Sequence, residues 1–206
     1  MLNYSQFIAY IRRSGFTALA SMLTFGALVG ALTGVLLPRR SAEAYTTIYD
    51  CHVPDVWTNQ IIAWYDWGTN LTIPGSSWRT AWETGMSDWN AANTTKTVHI
   101  YQYPTEPNTI NSVWDESNSL YGWFDFSCSG QGGHWTSWDA YDNTYTTNEF
   151  TSTMRRSTAG HELGHLLGLG HTTNGSLMDH QRDRSTIYVA QTDDINGVNA
   201  VHNHSH

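Results

Sequence analysis

His161-Glu162-Leu163-Gly164-His165-Leu166-Leu167-Gly168-Leu169-Gly170-His171 is the stretch of this 206-residue chain whose residue types and spacing can do chemistry. At 3.6 residues per turn, His161 and His165 stand about 40° apart around a helix axis and one turn apart along it. Both imidazoles therefore project from one face. Two neutral imidazole nitrogens can then reach one zinc ion at about 2.0–2.1 Å. Glu162, one position on, flanks the metal, where its carboxylate can take a proton from a zinc-bound water. A third ligand has to come from outside the helix. Gly168 tolerates positive φ and commonly ends helices, and the turned chain brings His171 back to the metal. Three protein ligands leave a fourth position open to water or substrate, as a catalytic zinc requires. At the chain's own residue frequencies, the five fixed positions recur by chance fewer than about 10⁻⁴ times in such a sequence, which weighs against a mere amphipathic helix carrying histidines.

The elements around this stretch are unevenly legible. The motif helix reads as residues 151–169, capped by Thr151 or Ser152, with Met154, Ala159, Leu163, Leu166 and Leu167 toward a core. Trp78, Ala81, Trp82, Gly85, Met86, Trp89 and Ala92 recur at helical spacing, which predicts a second long helix over residues 77–93 with Ser76 or Ser77 as its cap. Tryptophans at that spacing are expected to be core rather than a carbohydrate platform. Residues 60–67 are apolar on both faces, as an interior strand would be, and residues 98–103 alternate as another, with His99 a strand residue. Between 110 and 150 the pattern is weakest: residues 120–127 and 138–150 read as strands, joined by a glycine-rich turn. Thr192 with Asp193 and Asp194 opens a final helix burying Ile195, Val198 and Val201. Arg182 and Arg184 are expected to be solvated. His202, His204 and His206 read as a frayed tail.

Glu162 is the last glutamate in the chain, so a zinc site completed by a later glutamate is excluded. His161, Glu162, His165, Gly168 and His171 match the extended signature of the metzincin clan of metallopeptidases. Ser176-Leu177-Met178-Asp179 is placed to supply that clan's methionine-containing turn. Residues 161–169 and the ending Thr192-Asp193-Asp194-Ile195-Asn196-Gly197-Val198 look most like the matrixins, the matrix metalloproteinase-like family. This resemblance implies a single α+β catalytic domain of zincin type: a twisted mixed sheet, an active-site helix, a second long helix, and a small C-terminal subdomain with Met-turn and last helix. It implies a zinc metalloendopeptidase, with Met178 beneath the metal but not bonded to it. It also implies a protein or peptide substrate held extended along an edge strand, with Tyr188 lining a pocket for the residue after the scissile bond. Matrixins carry a structural zinc and calcium loop near residues 130–142; His134, Asp139 and Asp142 do not reproduce it, so no motif supports calcium here, and His134 reads as a surface residue. The competing class is a secreted protein whose zinc staples the fold or serves a non-peptide hydrolase. An intact Glu162 beside an open position argues against the first of these, since structural zinc takes four closed protein ligands.

Composition narrows the setting. A formal charge of −8, with no Lys/Arg cluster after residue 40 except Arg155-Arg156, makes nucleic acid an unsuitable partner. Few charges and many Asn, Thr, Ser, Trp and Tyr residues fit a secreted, extracellular monomer. Residues 1–44 read as a signal peptide: Arg12-Arg13 precede an apolar run over residues 16–37, and Ala42-Glu43-Ala44 supplies small residues for cleavage, leaving residues 45–206 as the catalytic domain. That run is also long enough to act as an uncleaved anchor, the one route by which a membrane would become a partner. The two cysteines, Cys51 and Cys128, pair most simply as a disulfide in an oxidising compartment. The alternative is that Cys51-His52-Val53-Pro54-Asp55-Val56 resembles the cysteine switch of matrixin pro-domains, with the Cys51 thiolate on the zinc. Tyr49-Asp50 and His52 depart from that pattern.

Overall fold

Every second residue of the strand Gln60–Trp67 turns to one side, burying Ile61, Ala63, Tyr65 and Trp67, and this strand is the spine of the molecule. The computed structural model describes residues 55–57, 59–128 and 135–203. Among them the chain order is β1 (Asp55–Trp57), β2 (Gln60–Trp67), a single 3-10 turn (Thr69–Leu71), α1 (Ser77–Asn90), β3 (Thr97–Gln102), β4 (Thr109–Val113), β5 (Gly122–Cys128), β6 (Trp135–Asn143), α2 (Ser152–Leu166) and α3 (Thr192–Val201). All lie in one unit, Arg40–His206. Residues 1–44, with the signal or anchor segment, and Cys51 of the disulfide and switch readings fall outside the described residues, as do His134, His204 and His206. No described helix is long and apolar enough to cross a membrane.

The six strands form one mixed sheet, giving the expected α+β class. β3 runs parallel along one side of β2; β1, antiparallel, and β4, parallel, share its other side. β6 continues parallel to β4, and β5 closes this edge antiparallel to β6. The register Gly122↔Asp142 to Phe126↔Trp138 sets the start of β5 next to the end of β6, where the chain leaves for α2.

α1 forms where the tryptophan stripe predicts, with Ser76 as N-cap accepting from the Arg79 amide. Trp78, Trp82, Met86 and Trp89 are core. Their indoles also pin neighbours: Trp89 Nε1 donates to the Gly160 carbonyl of α2 at 2.8 Å, and Trp82 Nε1 to Asp142 Oδ1 at 2.8 Å. α1 and α2 press together at two glycines, since a Cβ on Gly85 would lie 3.2 Å from Gly160 N.

One strand has no counterpart in the sequence reading, and several expectations need correction. β4 lies inside the sheet although its Thr-Ile-Asn-Ser-Val sequence carries one core residue, Ile110. Polar side chains hold it instead: the Thr109 amide and hydroxyl both donate to Asp139 Oδ1, and Ser112 Oγ to Asp142 Oδ2. The stretch 138–150 is strand only to Asn143 and then turns. The outer side of β2 is not covered throughout, because Trp64 stands exposed beside Tyr101 and Tyr103. Arg182 and His202 are not solvated at all; both are buried.

Candidate metal centre and active site

α2 is an extended platform whose last ten residues, Ser157 to Leu166, are all buried. Thr151 caps it, accepting from the Met154 amide. At its other end Gly168 has φ +87°, the Leu169 amide donates back to Gly164 O, and the Gly168 amide to His165 O. That pair of bonds is a Schellman stop, which satisfies otherwise orphaned helix carbonyls and reverses the chain. A Cβ on Gly168 would also press on Val201 Cγ1 of α3 at 3.0 Å. The glycine is therefore required twice, by its backbone conformation and by space.

The reversal brings His171 to His161 and His165. One ring nitrogen from each lies within 4.8 Å of the others, and the Nε2 atoms of His161 and His171 are 3.1 Å apart. Tetrahedral zinc with bonds near 2.0–2.1 Å spaces its ligand nitrogens about 3.3 Å apart, so the three rings fit that ion. The opposite nitrogens are committed elsewhere. His165 Nδ1 donates to Leu169 O at 2.7 Å and His161 Nδ1 to Leu177 O at 2.8 Å. A carbonyl can only accept, so these bonds put the proton on Nδ1 and the lone pair on Nε2, facing the metal position. Arg182 Nη1 also approaches His161 Nδ1, at 3.1 Å, but has its own acceptor in Asp179 O.

Burial, reinforced by His165 and Arg182, holds His161 well below the usual imidazole range. Burial likewise pushes His165 down to about 4, and it lowers His171 with help from His180 and Arg182. All three rings are therefore neutral near pH 7, the form that binds metal. Glu162, adjacent to His161, is 4% exposed. Burial drives its carboxyl up to about 8 against the pull of Arg182 and Arg184.

These groups open into a cleft of about 640 Å³, walled on one side by Ser119 to Phe124 and on the other by Thr158, His161, Glu162, His165, Gly170, His171, His180, Arg182 and Arg184. Tyr188 is not among its lining; it lies under the Arg156 guanidinium, 4.6 Å from ring centroid to Cζ. Met178 is buried against α2, where a Cβ on Gly164 would collide with its sulfur. Residues that the sequence left unassigned hold this arrangement. Asp194 accepts from the amides of Leu177 and Met178. Gly122 lets β5 pass directly over Glu162. Asn143 pins the loop before β5 through Asp115 and Asn118. Only Asp194 left a trace in the sequence, as an acidic residue in the first turn of a helix.

An α+β domain with two histidines on a buried helix, a third returned by a glycine stop and a methionine turn packed below has the architecture of a metzincin-type metallopeptidase domain. The family model for matrixins matches residues 77–203, and the chain belongs to the matrixin family, whose members bind zinc. The search among curated proteins gave no match. Among solved structures, a chain of the "GM1 bound form of the ECX AB5 holotoxin" is similar with TM-score 0.52 at 13% identity, over 78% of this chain and 89% of that one. At that identity the likeness concerns the fold alone.

Proposed function

We propose that this protein is a zinc-dependent endopeptidase in which His161, His165 and His171 hold the metal and Glu162 is the general base. The observation that carries the reading is the geometry at α2: three imidazoles converge, those of His161 and His165 with the Nε2 lone pair inward and that of His171 with Nε2 facing them, and a buried carboxylate sits beside them in one cleft. Zinc in that position supplies a Lewis acid that polarises the scissile carbonyl and acidifies water. Glu162 takes the proton from the attacking water and returns it to the departing amine. β5 pairs with β6 on one side, no described strand covers its other edge, and Gly122, Trp123 and Phe124 line the cleft. An extended peptide added to that edge would lie across the metal.

The reading extends to a monomer acting outside the cell, with residues 1–44 removed as a signal peptide. Cys51 bonds Cys128, a pairing supported by the lack of a free cysteine among the described residues; peptide mapping without reductant separates it from a Cys51 switch.

The test is casein hydrolysis with and without 1,10-phenanthroline, repeated on Glu162→Ala. Hydrolysis abolished by the chelator, and reduced by several orders of magnitude in a variant that keeps its zinc, is expected. Full activity in that variant overturns the mechanism. Bound zinc with no cleavage across a broad peptide library transfers the site to a structural or non-peptide role.

A further inference from the structure

The cleft carries two guanidinium groups that the proposed reaction does not use. Arg182 is 5% exposed and each of its nitrogens has an acceptor: Nε donates to Ser157 Oγ at 3.0 Å, Nη2 to Ser157 O at 2.7 Å and Nη1 to Asp179 O at 3.1 Å. Arg184 is differently placed. Its guanidinium lies 4.6 Å over the Tyr121 ring and donates from Nη2 to His180 O at 3.1 Å, while its Nε is buried with no partner. Among the described residues neither arginine has a carboxylate within 4 Å; the ion pairs there are Arg79–Glu83 and Arg156–Asp88. Buried charges are ordinarily paired, because an uncompensated ion in a low-dielectric site is costly. Here two cations face one wall, and the carboxylate that acts on both is Glu162, which the proposed chemistry already engages. The chain as a whole is acidic, at −8, so a cationic pocket is not a by-product of its general charge.

We propose that Arg184, backed by Arg182, receives a carboxylate of the substrate, making this a peptidase selective for an acidic residue next to the scissile bond. The planar fork of arginine suits bidentate capture of a carboxylate, and the Tyr121 face restrains it in one orientation. Arg182, held by Ser157 and Asp179, adds fixed positive charge behind it. The same chemistry could be offered by an internal Glu or Asp side chain or by a free C-terminus, and the experiment separates the two. This inference rests on the peptidase reading of the same site.

The zinc-loaded protein is given end-blocked peptides differing only in Glu, Gln, Leu or Lys at the positions flanking the cut, and the same peptides with free C-termini. Cleavage is located by mass spectrometry. Glu is expected to exceed Gln in kcat/KM by roughly 10- to 100-fold, the range for hydrogen bonds to charged groups. That ratio should fall to near unity in Arg184→Met, which keeps an apolar stem on Tyr121, persist in Arg184→Lys, and reverse toward Lys in Arg184→Glu. A preference seen only with free C-termini assigns the carboxylate to the chain end and overturns the side-chain selectivity. Cleavage with no Glu preference, or a preference unchanged in a zinc-loaded Arg184→Met, overturns the inference alone. No cleavage of any peptide by the wild type overturns the peptidase reading and this inference with it.

Discussion

Asp194 and His161 grip the same residue from opposite sides. The Leu177 carbonyl accepts from His161 Nδ1 at 2.8 Å, and the Leu177 amide donates to Asp194 Oδ2 at 2.9 Å. Asp194 Oδ1 takes the Met178 amide as well, and Oδ2 the Gln191 amide at the start of α3. One buried carboxylate thus fixes the methionine turn, and through it the tautomer and tilt of His161, a proposed zinc ligand. Asp194→Ala would leave three amides without their acceptor, those of Leu177 and Met178 fully buried, at about 1–3 kcal/mol each. A loss of ~3 kcal/mol corresponds to a fall in Tm of roughly 6–12 °C for a domain of this size. Zinc affinity should fall about 10- to 100-fold, as for other groups that orient a ligand. Competition with a chelator dye and thermal denaturation measure the two. An unchanged zinc affinity would show that the turn does not orient His161.

Gly122 makes β5 a close roof over Glu162. A Cβ there would stand 2.7 Å from Tyr141 O and 2.9 Å from Glu162 Oε1. In Gly122→Ala either the strand lifts from β6 or the carboxylate swings away. The expected result is a stability loss of about 1–3 kcal/mol, typical of overpacking, and kcat lowered at least roughly tenfold by misplacement of the proposed base. Zinc content should stay at wild-type level, because no ligand is touched. If kcat were retained, Glu162 would not need the position seen here.

What the sequence revealed and what it hid divide along one physical line. The zinc motif, the stop at Gly168 and the tryptophan face of α1 are local: each follows from helical spacing or from one backbone conformation within a few residues. β4 is not local, for its strand state comes from Asp139 and Asp142 on β6 rather than from its own pattern. Arg182 reads as solvated from its type and its polar neighbours Gln181 and Asp183. Its burial depends on Ser157, a residue of another element, offering both a hydroxyl and a carbonyl. His202 reads as a loose end for the same reason. Yet its Nε2 lies 3.0 Å from the Leu167 carbonyl, one of the helix-terminal acceptors that α2 cannot satisfy internally. In each case a polar side chain meets a distant backbone need that no sequence window contains.

Asp142 gives the fold a pH dependence with a defined sign. It is fully buried on β6, accepting from Trp82 Nε1 at 2.8 Å and from Ser112 Oγ at 2.5 Å. Burial pushes its carboxyl up to about 7, and those two donors offset only part of that rise. Because the folded state holds this proton more tightly than the unfolded chain, Asp142 contributes most below about pH 4. That contribution is lost as pH rises from there through about 7, and is level above. At roughly 1.4 kcal/mol for each tenfold gain in proton affinity, the change is on the order of a few kcal/mol. Asp142→Asn removes the titration, and its carbonyl can still accept from Trp82. Urea unfolding of the zinc-loaded wild type and variant at pH 5 and pH 8 isolates the effect, since Glu162 and the histidines are common to both. The wild type should lose more stability than Asp142→Asn between those two pH values. Equal losses in the two proteins would mean that Asp142 is ionised in the fold throughout, and that Trp82 and Ser112 outweigh its burial.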